Sequence, residues 1–256
     1  MQDADDFSTR VVLVTGASRG IGLEIAKAFH ARGARVALAA RGAEKLAEAT
    51  ASLGDRALGI EMDVSDKASV DRGVAEVVER FGAIHVLVNN AAVGRLSKIV
   101  EVSDRDLEDQ VAINFLGPVY CVRAVVPHMR AAGGGDVLNV SSDSVLRPFP
   151  YLGIYGASKA ALETLTVALR QELAPENIRV ALLRSGPSLT GFASEWSPED
   201  AGPAFEEWTA GDYLDPQSVM HPETVAEAAV FLVAQAREAS VYTLDVRPRR
   251  QNPLGG

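Results

Sequence analysis

Short apolar runs alternate with longer amphipathic stretches along most of the chain. The runs are rich in Val, Leu, Ile and Ala, as expected of strands that are buried on both faces of a sheet. The stretches between them repeat apolar residues at the three- and four-residue spacing of helices. The pattern predicts strands near residues 10–14, 34–39, 57–61, 85–88, 136–140, 178–183 and 241–245.

Strands that alternate with helices indicate an α/β protein with a parallel sheet. We expect a Rossmann-type, doubly wound sheet of seven mainly parallel strands, with helices on both faces in a three-layer α/β/α arrangement. Such sheets bind ligands beyond the carboxyl ends of their strands, near the point where the strand order reverses. Polar side chains at strand ends are therefore the first candidates for function.

Length and composition favour one domain over residues 1–256, because a chain with 47% hydrophobic residues can form one large core of this size. No linker, low-complexity segment or fixed-period repeat interrupts it. Residues 189–220 differ in combining several aromatic residues with many carboxylates. We expect a mobile lid over a substrate pocket there; a short helix packed on the body is the alternative.

The net charge of −9 argues against nucleic acid as a partner, because phosphate backbones are bound through excess Lys and Arg. The basic cluster at residues 247–250 is better explained as a solvated tail or a subunit contact. The acidic start, residues 1–6, lacks the features of a signal peptide, and no later run is long enough to span a membrane. We therefore expect a cytoplasmic protein with no membrane partner.

We assign no catalytic or metal-binding role to the cysteine or to the histidines. The single cysteine, Cys121, lies in an apolar helical pattern and is expected to pack in a reducing compartment. The histidines lack metal-ligand spacing, so no metal is predicted. They are His30, His85, His128 and His221.

A glycine-rich turn joins the first strand to the first helix. Its glycines, Gly16, Gly20 and Gly22, permit a tight turn, a close approach to a pyrophosphate and close packing of helix on strand. Phosphates would then lie at the N-terminus of the helix over Leu23 to Ala31. The turn alone is weak evidence, because an ordinary strand-to-helix connection has the same composition.

A phenol and an ammonium, Tyr155 and Lys159, are four residues apart on one face of a helix predicted over Ala157 to Leu173. Thirteen residues before the tyrosine, Ser142 follows the strand at 136–140. The three side chains can meet beyond the end of the sheet, which suggests proton-transfer catalysis.

Together, these motifs resemble the short-chain dehydrogenase/reductase family. Its motifs recur here in order and spacing over residues 10–190: the glycine-rich turn, Asn89-Asn-Ala-Ala92, Asn114, Ser142 and Tyr155-x3-Lys159. The resemblance implies a single-domain, NADP(H)-dependent enzyme similar to 3-oxoacyl thioester reductases and carbonyl reductases. A homodimer or homotetramer is also implied.

The resemblance implies roles for four residues. Tyr155 exchanges a proton with a carbonyl or alcohol oxygen, which Ser142 hydrogen-bonds. The spacing in the family selects Ser142 over Ser141 and Ser144 for this role. Lys159 holds the nicotinamide ribose and, with the oxidised nicotinamide, lowers the pKa of Tyr155. Asn114 anchors a water that connects Lys159 to solvent.

The cofactor contacts implied by the resemblance surround the strand ends. They are Gly16, Ser18, Arg19, Gly20, Ile21, Gly22, Arg41, Asp63, Val64, Asn89, Ala91, Tyr155, Lys159, Gly186 and Thr190. The second strand ends in Ala40, where an acid would select NAD, and Arg41 follows. With Arg19 as a second cation for a 2′-phosphate, this pattern favours NADP(H) over NAD(H).

Three positions depart from the family. Ser185 replaces a proline before Gly186, which removes a fixed φ from the loop. Ala92 stands where glycine is common and matters only if its φ is positive. The C-terminal residues, 240–248, replace the family's usual ending rich in Asp and Gly.

The sequence predicts an oxidoreductase that transfers hydride between NADP(H) and a carbonyl or alcohol substrate, most simply by reducing a ketone or aldehyde. Two alternatives stay open. One is an NAD-linked alcohol dehydrogenase that works oxidatively. The other is a non-catalytic regulatory protein that senses NADP(H).

Overall fold

The protein is described by a computed structural model over residues 6–214 and 218–249. Residues 1–5 of the acidic start, residues 215–217 of the predicted lid and Arg250 of the basic cluster lie outside the described residues.

The described residues form seven strands and eight α-helices. The strands are β1 (Val11–Thr15), β2 (Arg35–Ala40), β3 (Ala57–Glu61), β4 (Val86–Asn89), β5 (Gly135–Ser142), β6 (Ile178–Ser185) and β7 (Thr243–Val246). The helices are α1 (Gly20–Ala31), α2 (Ala43–Ala51), α3 (Lys67–Phe81), α4 (Asp104–Val111), α5 (Gly117–Ala131), α6 (Gly153–Leu173), α7 (Pro198–Ala210) and α8 (Pro222–Ala234).

The strands make one sheet in the order β3-β2-β1-β4-β5-β6-β7, and every pairing is parallel. Val12 in β1 is paired with Val36 on one side and with Val86 on the other. The chain order reverses between β1 and β4, so a crevice opens between their carboxyl ends. The predicted doubly wound fold is confirmed, with every described strand parallel.

Alternation along each strand divides the core into two layers. Val12 and Val14 of β1 pack in the layer beneath α1, α2 and α8, whereas Val11 and Leu13 face the layer beneath α3 and α5. All four side chains are fully buried. This two-sided burial explains why β1 is continuously apolar.

Helix α6 begins at Gly153, one turn before the predicted start, and so places Tyr155 inside the helix. Gly153 and Gly156 are weak helix formers, which hid this first turn in the sequence. Gly156 is buried against the carbonyl of Ser144, where a Cβ would lie 3.3 Å from the oxygen. Packing at this contact outweighs the propensity of glycine.

Among the described residues, one helical stretch, Asp104–Ala131, is long and apolar enough by composition to cross a membrane. It consists of α4, one π-helical turn (Ala112–Leu116) and α5. Cys121, Val125 and Met129 on α5 are fully buried in the layer against the sheet, as in a core helix. Burial raises the pKa of the Cys121 thiol to about 12, which keeps it protonated and unreactive.

Candidate active site

A cavity of about 1160 Å³ opens beyond the carboxyl ends of the strands, beside the reversal of strand order. Most of the residues predicted for the site line it: Gly16, Ser18, Arg19, Gly20, Ile21, Arg41, Asp63, Val64, Ala91, Ser142, Tyr155, Lys159, Gly186 and Thr190. Gly22, Asn89 and Asn114 are not part of its wall. The fold therefore brings the glycine-rich turn and the Tyr-Lys pair to one cavity.

The glycine-rich turn needs its small residues for two reasons. Gly20 has a φ of +58°, and a Cβ there would point across the cleft to within 3.4 Å of Thr190. A Cβ on Gly22 would lie 2.5 Å from the carbonyl oxygen of Gly16 and 2.4 Å from Asn90 Nδ2. The Gly16 backbone and the Asn90 side-chain amide thus fill the space beneath the turn. The cleft above the turn stays open at the N-terminus of α1, where an anion is favoured.

Two neighbouring asparagines after β4 have different environments. Asn89 is buried, and its Nδ2 donates to Asn139 Oδ1 at 2.8 Å. Asn90 lines the cavity and donates to the carbonyl oxygens of Thr15 and Gly16 at 2.9 and 3.3 Å. The side chain that holds the turn is therefore that of Asn90, one position after the predicted contact.

At the far end of the cavity, β2 ends in the buried Ala40 and is followed by the exposed Arg41. Within residues 6–214 and 218–249, the guanidinium of Arg41 makes no hydrogen bond or ion pair. Arg19 instead extends toward the segment after β6 and donates to Ser194 Oγ at 2.8 Å. The two cations thus reach the cavity from different sides.

Asp63 and Val64 follow β3 at the same end of the cavity. Asp63 Oδ1 accepts hydrogen bonds from the backbone and the hydroxyl of Ser65, at 2.9 and 2.6 Å. These bonds fix the connection to α3. Val64 is buried against Gly117, so its apolar side chain forms a wall of the cavity.

Tyr155 and Lys159 project from the same face of α6, and the Lys159 Nζ lies 5.9 Å from the centroid of the Tyr155 ring. The ammonium donates to the carbonyl oxygen of Val140 at 2.8 Å. Burial lowers the pKa of Lys159 to about 8, against the opposing influence of the Glu163 carboxylate. The amine is thus close to its titration point under ordinary conditions.

The protein groups around Tyr155 oppose the lowering of its pKa that the sequence led us to expect. Burial raises the pKa of the phenol to about 12, and the negative charge of Asp143 adds to the rise, while a hydrogen bond with Ser142 lowers it. The expectation considered Lys159 and the cofactor, but neither the burial nor the carboxylate. At neutral pH, Tyr155 consequently holds its proton.

The three serines near the end of β5 are separated by their surroundings. Ser141 is buried and donates to Glu163 Oε1 at 2.7 Å, and Ser144 is buried behind the strand end. Of these three, only Ser142 is half-buried and acts on the Tyr155 phenol, whose pKa it lowers. The spacing argument for Ser142 agrees with this placement.

Asn114 lies in the π-helical turn and is fully buried. Its amide accepts from the Val93 backbone N–H at 2.8 Å, and donates to the Val93 carbonyl at 2.8 Å and to Ser158 Oγ at 3.0 Å. These bonds connect the turn to the strand-end segment and to α6. The side chain thus supports the cavity wall from behind.

A cluster of aromatic rings covers the other side of the cavity. Phe192 lies 5.1 Å from the Tyr155 ring between centroids, and Trp196 lies 5.5 Å from Phe192. The indole N–H groups of Trp196 and Trp208 donate to the carbonyl oxygens of Gly94 and Pro150, at 2.8 and 2.7 Å. Both segments, the 3₁₀ turn Gly191–Glu195 and α7, are thereby fixed to the body.

The carboxylates of α7 do not face the cavity. They are exposed on the outer surface of the helix, so they do not bear on the charge of the substrate: Glu199, Asp200, Glu206 and Glu207. In the part of the cavity near Tyr155, the described carboxylate that lines the wall is Asp143. Sequence reasoning missed it; its place directly after Ser142 at a strand end was the available signal.

The loop that follows β6 compensates for its missing proline. Ser185 Oγ and Ser188 Oγ both donate to the carbonyl oxygen of Gly186, at 3.0 and 3.1 Å. Leu189 N donates to the Met220 carbonyl at 2.8 Å, and Met220 N donates to that of Pro187 at 3.0 Å. Ala92, the other substituted position, has no positive φ, so its methyl group causes no backbone strain.

The cavity suits a dinucleotide on its own geometry. The open cleft above Gly20, the N-terminus of α1 and the exposed cation Arg41 provide for phosphates. The described residues include no group of His, Cys, Asp and Glu that could hold a metal ion.

Comparisons with known proteins agree with these features. A family model described as short chain dehydrogenase matches residues 10–201. Sorbitol dehydrogenase of Cereibacter sphaeroides is 39% identical over 178 residues, which are 69% of this chain and 70% of that protein.

Solved structures resemble this one over nearly its whole length. One is the L-sorbose reductase of Gluconobacter frateurii, complexed with NADPH and L-sorbose, with a TM-score of 0.85 and 32% sequence identity. The match covers 98% of this chain and 100% of the reductase chain. A 3-ketoacyl-(acyl-carrier-protein) reductase of Brucella melitensis, complexed with NADH, has a TM-score of 0.84 at 31% identity, with coverages of 94% and 98%.

Proposed function

Because the chain belongs to the short-chain dehydrogenase family, and is thus an oxidoreductase for alcohol and ketone substrates, we propose that it reduces a ketone or aldehyde with NADPH. The observation that carries the proposal is the convergence of Ser142, Tyr155 and Lys159 on the cavity that the glycine-rich turn also lines. The similarity of the chain to a sorbose reductase and to a ketoacyl reductase supports reduction of a carbonyl group.

Tyr155 is the proton donor of the proposed reaction. Reduced nicotinamide supplies hydride to the carbonyl carbon, and the oxygen takes its proton from the Tyr155 phenol. A phenol that is protonated at neutral pH suits this direction. The Lys159 ammonium stabilises the phenolate that forms, and Ser142 donates a hydrogen bond to the developing alkoxide.

The remaining residues position the reactants. Gly16, Ser18, Gly20 and Ile21 would hold the pyrophosphate, Asp63 and Val64 the adenine, and Gly186 and Thr190 the nicotinamide carboxamide. Ala91 lines the cavity, and Gly22, Asn89 and Asn114 support its wall from behind. We propose residues 189–220 as the lid, because the aromatic cluster that its described part carries excludes water from Tyr155.

The proposal includes the location and the assembly of the enzyme. The enzyme works in the cytoplasm, with Cys121 as a buried thiol. It assembles as a homodimer or homotetramer, for which Phe231 on α8 and Tyr242 before β7 offer apolar surface, with 51% and 57% of their side chains exposed.

The direct test is the absorbance of NADPH and NADH during incubation with ketones, aldehydes and 3-oxoacyl thioesters. Consumption of NADPH with formation of the alcohol supports the proposal. Binding of NADPH without turnover of any carbonyl would favour the regulatory alternative, and oxidation of alcohols with NAD as the preferred cofactor would favour the dehydrogenase alternative.

Arg41 should set the cofactor preference. Arg41→Ala removes charge-assisted hydrogen bonds to a 2′-phosphate, so we expect kcat/KM for NADPH to fall roughly 10–100-fold, while that for NADH changes by less than about threefold. Arg72→Ala, which removes an exposed cation from α3, is the control for net charge and should alter neither value. Equal losses for both cofactors would show that Arg41 does not recognise the phosphate.

Lys159 should give the reaction a pH limit. Because its pKa is lowered to about 8, we expect kcat/KM for the ketone at saturating NADPH to be level below that pH and to fall above it, as the ammonium is lost. Glu163→Gln should move the break to lower pH, because the carboxylate favours the charged amine. A break that stays in place or moves upward in this variant would exclude Lys159 as its source.

A further inference from the structure

Asp143 is a carboxylate beside the proposed reacting groups that the reaction itself does not use. It begins a short 3₁₀ turn (Asp143–Val145) directly after Ser142, at the end of β5. The turn is fixed by a hydrogen bond from the Ser144 backbone to Ser142 Oγ at 3.2 Å and by bonds from Leu146 N and Arg147 N to the Asp143 carbonyl. The side chain is therefore held in the cavity wall.

The carboxylate has unused capacity to accept hydrogen bonds. It has two oxygens, and the side-chain hydrogen bond found for it among the described residues comes from Ser142 Oγ at 3.5 Å, the limit of such a contact. Burial raises the pKa of Asp143, although the charge of Arg247, the Ser142 hydroxyl and the backbone N–H groups of Ser144 and Asp143 act in the opposite direction. A hydrogen-bond donor on a ligand would give the buried Asp143 carboxylate a further partner.

The geometry selects where such a donor would lie. Under the proposed function, Ser142 faces the reacting oxygen, and Asp143 Oδ1 is 3.5 Å from the Ser142 hydroxyl. Oxygens on adjacent carbons are separated by about the length of a hydrogen bond. The carbonyl oxygen of a substrate can therefore face Ser142 while a hydroxyl on the adjacent carbon donates to Asp143.

The surrounding charge favours a neutral donor. The guanidinium of Arg247 acts on Asp143 and lowers its pKa, and it also lies 3.9 Å from Asp245 Oδ2. A substrate ammonium would be attracted by Asp143 but repelled by Arg247. A substrate carboxylate would be repelled by Asp143. The apolar remainder of a substrate would pack on Phe149, Phe192 and Trp196.

We propose that Asp143 selects α-hydroxy ketones, and vicinal diols in the reverse direction, by accepting a hydrogen bond from the hydroxyl on the carbon next to the carbonyl. The inference rests on the proposed function. In reduction, the carbonyl carbon gains hydride from NADPH, the oxygen gains the Tyr155 proton, NADPH becomes NADP⁺, and the neighbouring hydroxyl is unchanged. Asp143 is a specificity-determining residue with no part in the proton transfer.

Four matched ketones test the proposal: acetophenone, 2-hydroxyacetophenone, 2-aminoacetophenone and benzoylformate. With NADPH, we expect kcat/KM for the hydroxy ketone to exceed that for acetophenone roughly tenfold or more, as a hydrogen bond to a charged group provides. Asp143→Leu should reduce this ratio to about twofold or less, and Asp143→Asn, which keeps one acceptor oxygen, should give an intermediate ratio. The ratio is the readout, because changes near Tyr155 affect both ketones.

Glu44→Gln is the matched control, since Glu44 is a carboxylate that lines the same cavity at the end near Arg41. This variant should keep the wild-type ratio. A wild-type ratio near one, or a preference that survives Asp143→Leu, would overturn the proposal. Preference for the amino ketone or for benzoylformate would also overturn it, in favour of an ammonium or an anion site respectively.

Calorimetric binding separates failure of this inference from failure of the proposed function. Titration of acetophenone and 2-hydroxyacetophenone into Tyr155→Phe protein with NADP⁺ requires no turnover. Tighter binding of the hydroxy ketone, lost on adding Asp143→Leu, supports the contact even if no ketone is reduced. Equal binding of the two ketones counts against the contact even if both are reduced by the wild type.

Discussion

Tyr155→Phe should abolish most carbonyl reduction, lowering kcat roughly 10²–10⁴-fold, the range in which a positioned acid contributes to catalysis. The substitution removes the phenolic oxygen and leaves the ring, which packs 5.1 Å from Phe192 between centroids. The ring contacts and the fold should therefore persist. The measurement is single-turnover and steady-state consumption of NADPH with the best ketone of the panel.

The outcome is informative only if binding is intact. We expect NADPH to raise the Tm of the variant as much as that of the wild type, because the phenol is not a contact on which most of the binding depends. Tyr151→Phe serves as the matched control, since this phenol lies just before α6 and outside the cavity wall. Residual activity within about tenfold of the wild type would assign the proton to another group.

Gly22→Ala should have the second large effect, on both stability and cofactor binding. The added methyl would meet the Gly16 carbonyl oxygen at 2.5 Å and the Asn90 amide at 2.4 Å. Such overpacking costs about 1–3 kcal/mol, which corresponds to a Tm decrease of about 2–12 °C in a chain of this size. Relief of the clash would also move the turn, so we expect NADPH to bind at least about tenfold more weakly.

Gly42→Ala makes the same chemical change in an open place. Gly42 also lines the cavity, but a Cβ there meets no atom within 4 Å. This variant should keep the wild-type Tm and NADPH affinity, as thermal unfolding and calorimetry would show. If the Gly22→Ala protein had the same Tm and NADPH affinity as Gly42→Ala, the turn would be able to accept the methyl group without loss of stability or binding.

The strands were predictable because a sheet buried on both faces requires continuous apolar runs, as in β1. The residues at the strand ends were predictable because their spacing matches a known set of motifs. The first turn of α6 was not, since its glycines argue against a helix, and only the packing of Gly153 against Ile99 and of Gly156 against Ser144 explains them.

The electrostatics of the site depend on burial that no linear pattern contains. Asn89 and Asn90 look equivalent in sequence, yet adjacent residues at a strand end face different surroundings, and only Asn90 lines the cavity. The rise in the Tyr155 pKa caused by the protein alone was not visible in the sequence for the same kind of reason, because the positions of Asp143 and of the buried phenol are fixed only when the chain folds.

The crossed hydrogen bonds between the loop after β6 and Met220 have an evolutionary consequence. Leu189 and Pro187 hold Met220 on both sides, so the segment between them leaves the sheet and returns to it at one place. Changes in the length or sequence of a loop with fixed ends cost the rest of the fold little. Exchange of this single insert can therefore change the substrate, while the sheet, the glycine-rich turn and Tyr155 stay as they are.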